Sequence, residues 1–412
     1  MNIIRKKSAS INVNSLLGIN IYLYLMSYVL FFESGEVRIV YDGLLLSLII
    51  LGTTYILLQK RVILSPFFIA SLVYGIILLV SYLYTPSPGS GKYGLAYYGI
   101  CLIIIFILTN YIDCREKIYQ LIKLFVWAGV GISVKTFNYY GLDMFTMASN
   151  YTGSTSTAFR IGGDIGNSNN IGMYCMFATV FAIYLISEQK VKIKGLYIAA
   201  CLLCITVGLL TGSKKAIIIL FVGIAILLIT KKGNSIGKKV LMMFIVISIL
   251  SLIYWAIMKF PFFTTIKLRI EEFLKLFSDE SSSSDDYARF YMFEKGMDAF
   301  RNHPFMGNGV YSSQHYFGAY SHNNYIEILM NTGIIGFISF YAIYFMHCLK
   351  VIKGFIKFSE FRPLVYSCLL LILMLGSGFV YYFSVYFQTM MVLISSIIYI
   401  ELKSKRNIVK TK

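Results

Sequence analysis

The sequence predicts an all-α, polytopic membrane protein, and three observations carry that prediction. Hydrophobic residues make up 58% of the 412-residue chain and charged residues only 14%, against roughly 45–50% and 25% in an ordinary soluble domain. Apolar runs near the ~20 residues that cross a bilayer as a helix recur along the whole chain. The polar stretches between them alternate in charge, as loops on opposite sides of a membrane do.

The first run, 15–32, follows Arg5, Lys6 and Lys7. It is long and no small-x-small cleavage site follows it, so it reads as a retained span rather than a signal peptide. Further spans are expected near 39–58, 63–83, 93–110, 118–137, 169–187, 195–210, 215–230, 240–258, 323–349, 364–382 and 384–401. About twelve helices result, in three parts. Spans one to nine occupy 1–258 with an outer loop at about 138–168, a large extracytoplasmic loop occupies 259–322 between spans nine and ten, and spans ten to twelve with a basic tail occupy 323–412.

The net charge of +18 points first to an acidic partner. With the N-terminus inside, the pieces assigned to the cytoplasm hold 24 of the 37 Lys and Arg but five of the 19 Asp and Glu. The inner side is therefore +19 and the outer side −1. The charge is a topology signal, not a nucleic-acid patch, and places both termini in the cytoplasm.

The seven cysteines imply no disulfide framework, and Cys201 and Cys204 sit mid-span with no basic neighbour to activate a thiol. They read as packing. Ionisable groups at mid-depth are also scarce, which counts against an ion-coupled transporter.

Function is expected in the two long outer segments. In 265–277 Ile266, Ile270, Phe273, Leu274 and Phe277 share one helical face, the pattern of a helix at the membrane interface. After a polar SDESSSSDD stretch, 287–302 aligns Phe290, Phe293, Met297 and Phe300 in the same way, and His303-Pro304 ends that helix.

Few strong charges lie on the outer side. Arg160 stands in FRIGGDIGNSNNIG, where free backbone N–H groups lead into a helix N-terminus. The segment is either an anion site or a packed glycine-rich loop. Lys214 and Lys215 open a span on the side where lysines are disfavoured, which suggests a bound anion over simple snorkelling. His322 opens the next span after the large loop, where the helix dipole favours a neutral imidazole able to accept a proton. It acts as a base or merely caps the helix. A zinc site from His303, His315 and His322 has no familiar ligand spacing. No D-x-D motif occurs, and no metal site or cofactor is expected.

The order of these pieces resembles the O-antigen ligase and polymerase family (Wzy and WaaL type). The closest block is 287–336: Tyr287-Ala288-Arg289, His303-Pro304-Phe305-Met306-Gly307-Asn308-Gly309, His322-Asn323-Asn324-Tyr325-Ile326-Glu327, and Asn331-Thr332-Gly333-Ile334-Ile335-Gly336. The resemblance implies a GT-C-like, metal-independent glycosyltransferase of the bacterial plasma (inner) membrane. Its expected substrate is an undecaprenyl-diphosphate-linked oligosaccharide, and its expected partners are a chain-length regulator and a flippase of the same pathway. By position, Arg289 would grip the diphosphate and His322 would activate the acceptor hydroxyl or orient the sugar. Arg160, Lys214, Lys215 and Asn323 would bind substrate, with lysine standing where the family commonly has arginine after Gly212-Ser213. Polysaccharide polymerase is the first expectation, with O-antigen ligase and lipid-linked oligosaccharide flippase as the alternatives.

The charge pattern makes a direct topological prediction. Reporter fusions after residues 61, 192 and 357 should read as cytoplasmic and a fusion near 280 as extracytoplasmic; a cytoplasmic signal at 280 would overturn the span count.

Overall fold

The computed structural model describes residues 12–31, 37–145, 161–163, 165–231, 236–261, 267, 271, 284–354, 356 and 359–410. Among the described residues there is no β-strand. Helices stand at all twelve expected positions: α1 (Val13–Phe31), α2 (Arg38–Gln59), α3 (Pro66–Tyr82), α4 (Pro88–Tyr111), α5 (Arg115–Tyr140), α6 (Ser168–Ser187), α7 (Lys194–Leu210), α8 (Lys214–Thr230) and α9 (Ile236–Lys259) come before the large loop. That loop adds α10 (Ser284–Asn302) and the short α11 (Ser312–Phe317), and the chain closes with α12 (Asn324–Ile352), α13 (Arg362–Leu375) and α14 (Val385–Lys410). Helices α1, α2, α4, α5, α6, α12 and α14 are long and apolar enough to cross a membrane, while α3, α7 and α13 are apolar but shorter. The chain is an all-α polytopic membrane protein.

Helix starts follow from local chemistry. The Ser65 hydroxyl accepts a hydrogen bond from Phe68 N–H at 3.1 Å, with Pro66 at the first helical position of α3. Asn167, Ser213 and Asn323 cap α6, α8 and α12 in the same manner.

Two helices form the centre. Helix α6 packs against α5, α7 and α8 and is buried along most of its length, and α14 is equally enclosed. Gly129 allows α5 to approach α6 closely, since a Cβ there would strike Ala178. Phe125, Phe177, Phe181, Tyr386 and Phe387 interlock across α5, α6 and α14. Cys175 and Cys204 are buried against Ser133, in keeping with a packing role.

Ion pairs gather the loops that the charge count groups together. Arg115 bonds Glu401 at 2.8 Å and lies 3.7 Å from Glu360, which also pairs with Lys190 at 3.1 Å. Lys231 reaches Glu188, and Arg61 reaches the Tyr399 hydroxyl. The ends of α2, α6, α8 and α14 and the starts of α5, α7 and α13 therefore share one end of the bundle. The starts of α6, α8 and α12 lie at the other.

Three expectations need correction or completion. The span expected at 364–382 ends as a helix at Leu375, because Gly376, Ser377 and Gly378 favour a break. Residues 376–384 run on as irregular, mostly buried backbone. His322 does not lie within the first turn of α12; it precedes the capping residue Asn323 and has φ +57°. On α10 the small residues Gly296 and Ala299 are buried, with Gly296 against Ile326 and Met330 of α12, while Phe290 and Phe293 of the expected apolar face are exposed. The amphipathic helix expected over 265–277 lies, apart from Lys267 and Glu271, outside the described residues.

Helix α10 ends at Asn302, as Pro304 dictates, and the following turn docks into α12. Pro304 C=O accepts from Ile334 N–H at 2.8 Å, and Met330 C=O accepts from Asn308 N–H at 2.8 Å. The docking requires a break in α12 at Gly333, which has φ +62° and ψ −164°. A Cβ at that position would collide with the Phe305 carbonyl. Gly333→Ala should therefore cost at least about 1–3 kcal/mol from backbone strain alone. Thermal unfolding of the purified variant in detergent should show a clearly lowered midpoint; an unchanged midpoint would refute the strain argument.

Candidate functional site

Three helix N-termini meet at the end of the bundle opposite the ion pairs. The first belongs to α6. Asn167 Oδ1 accepts Asn169 N–H at 2.9 Å, and Gly166, Asn167, Asn170 and Tyr174 face a cavity of about 430 Å³. Ahead of it, Ile161 and Ile165 are buried and Gly162 N–H donates to the Tyr140 hydroxyl at 3.1 Å, so the end of the loop is anchored beside the cavity. Arg160, one residue earlier, lies outside the described residues.

The second N-terminus belongs to α8. Gly212, at φ +62°, turns the chain, and Ser213 caps the helix with Lys214 and Lys215 as its first two residues. The start of α8 lies against the start of α6, because a Cβ on Gly172 would touch the Thr211 hydroxyl, Ser213 and Ala216. Lys215 Nζ sits 5.2 Å from the centre of the Phe379 ring, and Phe379 lines the cavity. Both lysines are half-buried rather than splayed into solvent.

The third N-terminus belongs to α12. Asn323 Oδ1 accepts from Tyr325 and Ile326 N–H at 3.0 and 3.2 Å, so the carbonyl of this expected substrate ligand is committed to capping. His322 packs on Tyr320 with ring centres 4.2 Å apart, and Tyr320 lines the cavity. The remaining wall comes from Tyr28, Tyr97, Val380, Phe383 and Ser384.

Arg289 is exposed on α10. Passing from Gly296 to Pro304 moves the contact on α12 from Ile326 and Met330 to Ile334, so the two helices run parallel. Arg289 lies seven residues, two turns or about 10 Å, before Gly296 on α10.

The structure thus sets Lys215 against Phe379 and His322 against Tyr320, two residues of the cavity wall; Lys214 and Asn323 are their neighbours in sequence, and Arg289 is exposed near the start of α10. His303 and His315 are exposed on other segments, and among the described residues no three His, Cys, Asp or Glu side chains form a metal-holding group.

Three residues with no role assigned from the sequence hold this site together. Asn324 is fully buried; its Oδ1 accepts from Tyr381 and Tyr382 N–H at 2.8 and 3.0 Å, and its Nδ2 donates to the Tyr341 hydroxyl at 2.7 Å. Asn331 Oδ1 accepts from Ser312 N–H at 3.2 Å and from the Ser312 hydroxyl at 2.9 Å. Glu327, 1% exposed, accepts from Ser313, Ser321 and Asn331. Nearby, burial pushes the Tyr311 phenol up, so it stays a neutral hydroxyl. The missed signal was an acid and two amides at i, i+3 and i+7 at the head of an apolar run, one face of a helix.

Residues 199–341 match the family model for O-antigen ligase. The likeness to an O-antigen ligase domain is limited to that segment. The match covers about a third of the chain, from α7 into α12, and includes Lys214, Lys215, Arg289, His322, Asn323 and Glu327. The domain supports a membrane glycan-processing enzyme of the ligase or polymerase type. No curated protein matches the chain. The α6 wall and the 376–384 segment lie outside the matched residues, so the cavity is completed by residues from the rest of the chain.

Asn324 generates a test of this construction. Asn324→Ala leaves two buried backbone N–H groups without an acceptor, at about 1–3 kcal/mol each. Hydrogen–deuterium exchange of the variant should rise sharply in peptides covering 376–384, and protection equal to the parent would show that another group holds that segment.

Proposed function

We propose that the protein is a polysaccharide polymerase. It would move a growing glycan from one undecaprenyl diphosphate onto the end of a lipid-linked repeat unit at the outer face of the plasma membrane. The observation that supports this is an aromatic-lined cavity at the start of α6, with Lys215 against its wall residue Phe379 and His322 against its wall residue Tyr320.

Each part fits the reaction. The acceptor hydroxyl attacks the anomeric carbon while negative charge builds on the departing diphosphate. Partial positive charge at the helix starts and the ammonium groups of Lys214 and Lys215 stabilise that charge in place. Arg289 and Arg160 would supply further charge-assisted bonds to phosphate oxygens as the lipid carrier enters. Proton removal falls to His322. A neutral imidazole can accept the hydroxyl proton. Tyrosine rings lining the cavity offer flat faces and hydroxyls suited to sugar rings. The chemistry needs no metal, since fixed cations do the work of a Lewis acid.

The matched family model is described as O-antigen ligase, which favours transfer to a different lipid acceptor as the second reading. The deciding experiment is incubation of purified protein with a lipid-linked repeat unit, followed by gel analysis. A ladder of products supports the polymerase, a single transfer to another lipid indicates a ligase, and transbilayer movement without reaction indicates a flippase. His322→Ala should lower the rate by roughly 10²–10⁴-fold, Arg289→Ala should abolish long products, and chelator should leave the reaction intact. Normal product length in either variant would sink the site assignment.

A further inference from the structure

Glu327 is a carboxylate buried at the head of α12, and every group that meets it through a hydrogen bond is a donor. Its Oε2 accepts the Ser321 backbone N–H at 2.8 Å, and its Oε1 accepts the Ser313 hydroxyl at 2.7 Å and the Asn331 amide at 3.2 Å. An acceptor-only side chain is needed there, because an amide would turn an N–H against one of those donors. The positive end of the helix also offsets part of the cost of burying the charge.

The consequence of this clamp falls on the next residue. Ser321 directly precedes His322, whose φ of +57° is a conformation that non-glycine residues seldom adopt. On the far side Asn323 is fixed by capping α12, and its C=O accepts the Ser321 hydroxyl at 2.9 Å. His322 is therefore held between two anchored neighbours, with its ring tilted against that of Tyr320, which lines the cavity. Release of Ser321 would let the 320–323 segment relax to an ordinary backbone conformation and carry the imidazole off its place.

We propose that Glu327 is a positioning residue, which acts on the transfer reaction by fixing the backbone that aims His322 at the cavity. The proposal rests on the assignment of His322 as the proton acceptor. It predicts an effect on turnover rather than on substrate binding, and an effect that vanishes when His322 is absent.

The test is a double-mutant cycle on purified full-length protein with the lipid-linked repeat unit as substrate. Glu327→Gln should lower kcat about 30-fold or more with KM changed by less than about threefold, as expected for a group acting only in the transition state. Glu327→Asp keeps an acceptor-only carboxylate and should recover part of kcat. In a His322→Ala background, Glu327→Gln should cause less than about a twofold further loss of the residual rate. Equal losses in both backgrounds, a rise in KM at constant kcat, or a Gln variant with parental kcat would overturn the proposal. Should the Gln variant fail to insert, Ser313→Ala removes one arm of the clamp and should lower kcat by roughly 3–10-fold; parental kcat there would also overturn it. Full activity in His322→Ala alone would instead refute the base assignment, a result distinct from additive losses.

Discussion

The end of the bundle opposite the ion pairs depends on one buried amide. Asn324 accepts the backbone N–H groups of Tyr381 and Tyr382 on a single oxygen, while its own N–H donates to Gly376 C=O at 2.8 Å. Irregular backbone inside a membrane protein is tolerated only where the protein itself satisfies its polar groups. Residues 376–384 meet that condition through Asn324, and they in turn carry Phe379, Val380, Phe383 and Ser384 to the cavity. One helix head thus holds both lips of the site. Asn324 holds the 376–384 side and Glu327 holds the 320–322 side.

The same end concentrates backbone conformations that cost energy elsewhere in a protein. His322 and Tyr311 have positive φ without being glycine, and Gly307, Gly309, Gly318 and Gly333 have positive φ as well. Such positions persist where surrounding contacts over-determine them. Here those contacts are identifiable: Pro304 and Phe305 carbonyls entering the break at Gly333, and the Asn331 side chain fastening Ser312. Aromatic packing below supports this frame, with Tyr98 of α4, Phe340 of α12 and Tyr382 of the 376–384 segment each in ring contact with Tyr74 of α3.

Much of this was legible in the sequence, for a physical reason. A long apolar run flanked by charge reports a helix with little interference from context, and helices stand at every expected span. Lys214 and Lys215 stood out because they break the charge rule that the other loops obey. The head of α12 was not. Asn324, Glu327 and Asn331 sit in an apolar run, and their partners at 312–321 and 376–384 come from segments that no local pattern ties to them. The end of α13 was hidden differently: the apolar Phe379-Val380-Tyr381-Tyr382-Phe383 outweighed Gly376-Ser377-Gly378 in a hydropathy window, although the glycines marked the break.

The early end of α13 has a consequence for the surroundings of the site. Its 14 residues span about 21 Å at 1.5 Å each, well short of the ~30 Å hydrocarbon thickness of a bilayer. Residues 376–384 carry the chain on from this short helix as irregular, mostly buried backbone, so protein packing takes the place of a last helical turn on that wall. Side chains held there, away from bulk water, meet a lower local polarity, in which a charge acts far more strongly than at an open aqueous surface.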